Sequence, residues 1–135
     1  MIAILCVDDS FGMLFNNRRQ SRDDVLNNKI LDITKNSKLW MNNYSFRMLQ
    51  KYQASNICVA DDFLEEAQEG DFCFIENKPI GAFIKYVKKI ILFKWNRSYP
   101  RDMLLDVDLS EWTLQESIDF VGKSHENITM EVYSR

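Results

Sequence analysis

The hexapeptide Ile2-Ala3-Ile4-Leu5-Cys6-Val7 constrains this chain more than any other stretch. It is apolar throughout and does not alternate, so as a strand it must be buried on both faces. Such a strand needs a layer of other elements on each side, as in an α/β protein. Asp8-Asp9-Ser10-Phe11-Gly12 follows as a turn signal. The stretch from Ser10 to Arg22 has no periodicity and reads as a loop carrying Asn16-Asn17 and Arg18-Arg19.

The chain then alternates. Ser21 reads as the N-cap of a helix with Asp23 and Asp24 in its first turn, where carboxylates favour the helix dipole. Val25, Lys29, Ile30 and Ile33 carry that helix to about Thr34. Lys38 to Met41 predicts a strand, Asn42-Asn43 a turn, and Tyr44 to Tyr52 a helix. Ile57 to Ala60 predicts a strand, and Asp61 caps a helix through Phe63, Leu64 and Ala67 that Gly70 stops. Phe72 to Ile75 and Ile90 to Trp95 read as strands, with a short helix over Ile80 to Tyr86 between them. This alternation predicts a mostly parallel, twisted sheet. Met103 to Val107 and Ile128 to Tyr133 read as strands with no helix between them, which predicts an antiparallel hairpin at the sheet edge.

A length of 135 residues fits one domain, and 17 basic against 20 acidic residues give a net charge of −3. That balance offers no electrostatic case for nucleic acid. No stretch approaches the roughly twenty apolar residues that span a bilayer, so no membrane partner is expected. Cys6, Cys58 and Cys73 each lie in an apolar run without paired spacing, which predicts free, buried thiols in a reducing cytoplasm. His125 is the only histidine, which excludes metal sites built on several, and no metal is expected. No Gly-x-Ser-x-Gly elbow exists, so no Ser-His-Asp arrangement is expected either. His125 falls in the turn before the last strand.

The N-terminal order of strand, Asp8, Gly12, a loop with an Asn and an acidic helix start resembles dihydrofolate reductase. Asp106-Val107-Asp108-Leu109-Ser110-Glu111-Trp112 is similar to the segment before that family's last hairpin, and Ser124 to Arg135 to its closing strand. The resemblance implies a dihydrofolate reductase-like, three-layer α/β fold over residues 1–135. It sets Asp24, with Asp23 as the alternative, where the family carries its catalytic acid. In an apolar pocket Asp24 would have a raised pKa and could assist protonation; otherwise it is a first-turn charge.

The departures fall at the cofactor site. The family holds its cofactor's phosphates with a Gly-Arg-x-Thr turn, and Asn42-Asn43-Tyr44-Ser45 stands there, lacking both the Gly and the Arg. Of this degenerate motif, Ser45, Asn42 and Asn43 remain as candidate cofactor contacts. The family's Gly-Gly pair beside the pyrophosphate corresponds to Glu76-Asn77, and a carboxylate there repels phosphate. Arg18-Arg19-Gln20-Ser21 occupies the place of a Leu-Pro-Trp, and Lys51 to Asn56 is too short for the strand carrying the substrate-clamping arginine.

The resemblance with these departures implies a divergent protein that has lost the usual NADPH phosphate site. It would bind a small molecule or a partner in the remaining cleft, near Asp24, Phe11, Phe15 and Trp95. The alternative is an active NADPH-dependent reductase of a pterin-like substrate, with Asp24 as proton-relay acid and Ser45 and nearby lysines on the phosphates. A non-catalytic interaction module is the third reading.

Overall fold

In the computed structural model, which describes residues 1–135, the apolar run forms β1 (Ile2–Val7) inside a seven-stranded sheet. A hairpin follows, β2 (Gly12–Phe15) and β3 (Arg18–Arg19), then α1 (Asp24–Thr34) and β4 (Leu39–Met41). Next come α2 (Asn43–Leu49), β5 (Ile57–Val59), α3 (Phe63–Glu66), β6 (Phe72–Phe74) and β7 (Lys89–Lys94). The chain ends with β8 (Met103–Leu104), β9 (Thr113–Phe120) and β10 (Ile128–Ser134).

The main sheet has the order β5-β4-β6-β1-β7-β10-β9. The first five of these strands are parallel, and β10 runs antiparallel to both β7 and β9. β1 pairs with β6 and β7 at once, and its side chains divide between two cores. Ala3, Leu5 and Val7 pack with Phe63, Leu64, Ile80 and Trp112 on one face. Ile4 packs with Leu26, Ile30, Met48, Leu49 and Trp95 on the other. The run is unbroken because both faces bury apolar side chains. An eleven-residue helix such as α1 is too short to hold itself together in water. Burial of Leu26 and Ile30, about 1.5–3 kcal/mol each, fixes it on the sheet.

The structure corrects the sequence reading at four places. Ser10 to Arg22 is not a loop: Leu14 pairs with Arg19 and Phe15 with Arg18 across Asn16-Asn17, both at positive φ. A two-residue turn with two left-handed residues matches the twist of its strands, and Asn tolerates that conformation. The α1 N-cap is Asp23, not Ser21. The expected helix after Asp61 is a single turn, its N-cap Asp62 making no side-chain bond. The short helix expected over Ile80 to Tyr86 is present as a 3-10 helix, Gly81–Tyr86, and the N–H groups of Ile80 and Gly81 at its start donate to the Asp106 carboxylate at 2.9 and 2.8 Å.

The last correction concerns the edge. Met103 and Leu104 pair with β2 in a separate three-stranded sheet, and the hairpin partner of β10 is Thr113–Phe120. All but the last residue of β9 are exposed, so no buried face imposes alternation on its sequence. Glu116, Asp119 and a bulge opposite Val132/Tyr133 blunt this edge against further pairing.

Candidate functional site

Cys6, Phe74 and Trp95, at or next to the C-terminal ends of β1, β6 and β7, line one cavity with Leu26 of α1, and Asp23 caps that helix. Its Oδ1 accepts from the N–H groups of Val25 (2.9 Å), Leu26 (3.4 Å) and Lys123 (3.0 Å). Its Oδ2 accepts from the Ser124 N–H at 2.9 Å and faces His125 Nδ1 at 2.8 Å. The β9–β10 connection thus wraps around the helix cap. Gly122 allows this, since a Cβ there would lie 2.6 Å from Asp23 Oδ2. Burial pushes the Asp23 carboxyl up, but the N–H groups of Lys123 and Ser124, the His125 ring and the Leu26 N–H outweigh it. They hold the group well below the usual carboxylate range.

An ionised Asp23 only accepts, so His125 Nδ1 must carry a proton. Nε2 faces the Ser21 hydroxyl, with Oγ at 2.8 Å, and in the neutral ring it accepts from that hydroxyl. The Tyr99 hydroxyl stands 3.4 Å from the same nitrogen. Trp95 lies against the imidazole, ring centroids 4.7 Å apart and planes tilted by 31°. Ser21, His125 and Asp23 are therefore in hydrogen-bonded series, contrary to the expectation from the missing elbow. The sequence held no local signal for it, because His125 reaches Ser21 from 104 residues away.

Ser21 lines a cavity of about 20 Å³ with Met13, Leu26, Met48 and Trp95, room for about one water molecule. Arg19 and Glu76 also line it and pair with each other. Arg19 Nε donates to one Glu76 oxygen at 2.8 Å and Nη2 to the other at 3.0 Å. The Ser45 hydroxyl adds a bond to Glu76 at 2.8 Å. Burial draws the Arg19 pKa down, but the bond to Glu76 outweighs it, and the net shift is upward. The guanidinium also lies 4.4 Å from the centroid of the Tyr44 ring.

The sequence-predicted residues fall in different places. Ser45 is buried against Glu76, with its N–H capped by Asn42 Oδ1 at 3.3 Å. Asn42 spends its amide N–H on Asn77 at 2.7 Å. Asn43 is exposed, and with its oxygen toward Arg47 it accepts at 3.0 and 3.2 Å. Asp24 stands on the surface with Lys51 at 3.0 Å and Lys123 at 3.2 Å, and accepts from the Tyr52 hydroxyl. Tyr52 first, then Lys51 and Lys123, hold its carboxyl well below the usual range, the opposite of the raised pKa a pocket acid would have.

Trp95 is buried in the Ser21 cavity, whereas Phe11 and Phe15 are 42% and 41% exposed and line two other grooves. Phe15 flanks an open groove of about 480 Å³ with Arg18, Arg19, Gln20 and Tyr99, adjoining the Ser21 cavity through Arg19 and Gln20. Asp8 organises this corner. It accepts from the N–H groups of Gly12 (2.7 Å), Ser10 (3.0 Å) and Tyr99 (3.1 Å), tying the β1–β2 turn to the loop after β7. Cys6 and Cys73 are free thiols pushed up by burial, Cys73 to about 12, which leaves them little thiolate.

No protein-family model matches the sequence. No curated protein matches it either. Among solved structures the chain is similar to dihydrofolate reductase from Enterococcus faecalis, complexed with NADP(H) and RAB-propyl. The TM-score is 0.71 at 14% identity, covering 99% of this chain and 95% of that one. At that identity the likeness speaks for architecture alone, and the chain has a dihydrofolate reductase-like fold.

Proposed function

We propose that this chain binds a small molecule in the groove that adjoins the Ser21 cavity, without a nicotinamide cofactor. The observation that carries this reading is Glu76. Its carboxylate stands at the end of β6, where the resembling family brings bare backbone to a pyrophosphate, and Arg19 and Ser45 already satisfy it. An incoming phosphate would meet a negative charge, and the nearest cation and hydroxyl are engaged. The ligand's own place is the groove of Phe15, Arg18 and Tyr99, which has the aromatic and cationic groups for an anionic or aromatic compound.

A second reading is favoured by the neighbour's complex with NADP(H). In it the chain is an NADPH-dependent reductase with Asp24 as proton-relay acid and Ser45 on the phosphates. The absorbance of NADPH, followed with dihydrofolate and the purified chain, separates the two. No oxidation above the protein-free rate is expected. Turnover that Asp24→Asn abolishes would replace the first reading with the second.

A further inference from the structure

We infer that Ser21 is a nucleophile, activated by His125, for acyl transfer from short-chain esters. The inference rests on the hydrogen-bonded series alone and does not depend on whether the nicotinamide corner is used. Three features carry it. Ser21 Oγ and His125 Nε2 are 2.8 Å apart, within the reach a general base needs. His125 Nδ1 and Asp23 Oδ2 are 2.8 Å apart, which fixes the tautomer that leaves Nε2 free to take a proton. Both polar partners are buried, His125 at 5% and Asp23 at 3% exposure, while Ser21 opens into the cavity.

A helix cap needs neither a histidine nor a serine at the far end of that histidine, so capping does not explain the series. The N–H of Arg22, which follows Ser21, donates to no backbone carbonyl of the chain. The cavity sets the acyl group. At about 20 Å³ between Met13, Leu26, Met48 and Trp95, about the space of one water, it leaves no room for a long acyl chain. The adjoining groove with Phe15, Arg18 and Tyr99 receives the alcohol portion, which should be aromatic or anionic.

The reaction balances without a cofactor. Ser21 Oγ bonds to the ester carbonyl carbon as its proton passes to His125 Nε2. The carbon–oxygen bond to the alcohol breaks, and that proton leaves with the alcohol. Water then attacks the acyl-serine, gives its proton to Nε2, and the serine regains it as the short acid departs. Asp23 is a positioning residue throughout.

The test uses the full chain with p-nitrophenyl acetate and phenylmethylsulfonyl fluoride. The wild type is expected to release p-nitrophenol and to gain a single sulfonyl adduct on the Ser21 peptide. Ser21→Ala should lower the release about 100-fold or more and prevent the adduct while melting near the wild-type temperature. Equal release by Ser21→Ala, or an adduct elsewhere, overturns the inference. Should Ser21→Ala fail to fold, Ser21→Cys keeps the test open. Its new thiol should react with iodoacetamide at least about tenfold faster than the three native cysteines, and equal rates count against activation by His125. His125 also gives a readout apart from activity, since it is the only imidazole. Its nitrogen shifts should report a proton on Nδ1 and a bare Nε2 in the wild type, and loss of that preference in Asp23→Asn. A proton on Nε2 of the neutral wild-type ring contradicts the proposed base.

Discussion

Asp23→Ala is expected to destabilise the chain by about 3–5 kcal/mol, far more than a helix-cap substitution alone. Loss of the cap oxygen costs about 1 kcal/mol. The larger part comes from the β9–β10 connection, where the N–H groups of Lys123 and Ser124 and the His125 ring lose their shared acceptor. Each stranded buried donor costs about 1–3 kcal/mol, partly relieved by water entering the space. For a chain of this length the melting temperature should fall by about 10–20 °C.

The pH dependence has a definite sign. The folded-state pKa of Asp23 is depressed, so its contribution is complete above the unfolded value near ~4 and is lost as pH falls through and below it. Acid should therefore destabilise the wild type more steeply than Asp23→Ala. Thermal melts of both proteins from neutral pH to about pH 3 check this, and parallel curves would show that Asp23 is not the anchor.

The second large effect is expected at Arg19 and Glu76. Either Arg19→Ala or Glu76→Ala leaves a mostly buried partner without its counter-charge, the side chains being only 19% and 8% exposed. Each should cost about 3 kcal/mol. Arg19→Met with Glu76→Leu removes both charges, keeps volume, and should lie within about 1 kcal/mol of wild type. Urea unfolding of the four proteins checks this, and the charge-free double variant is expected to be about 2 kcal/mol or more above either single variant. Single variants within about 0.5 kcal/mol of wild type would mean that the pair does not anchor the fold.

Much of this architecture was legible in the residues. The unbroken Ile2–Val7 run required cover on both faces, and the parallel order up to β7 followed from the alternation of strands and helices. Other signals were present and weaker. Asn16-Asn17 between apolar and basic dipeptides is a two-residue hairpin turn, hidden because β3 has only two residues. Asp23 is three residues before Leu26 and seven before Ile30, so it shares their inward face, whereas Asp24 is turned to the side of Asn28. That spacing distinguishes the buried acid from the exposed one. β9 could not be read from alternation, because an exposed edge strand selects no buried face. Nor could the approach of His125 to Ser21, which depends on how β10 pairs with β7 and on where α1 begins.

The central proposal is that the corner holding a nicotinamide cofactor in the resembling family is filled in this chain by its own Glu76, Arg19 and Ser45. Calorimetric titration of the wild type with NADPH tests it most directly, with Glu76→Gly/Asn77→Gly as the opened comparison. No binding heat up to millimolar NADPH is expected for the wild type. Saturable binding with a Kd below about 1 mM, stronger than roughly −4 kcal/mol, would contradict the proposal.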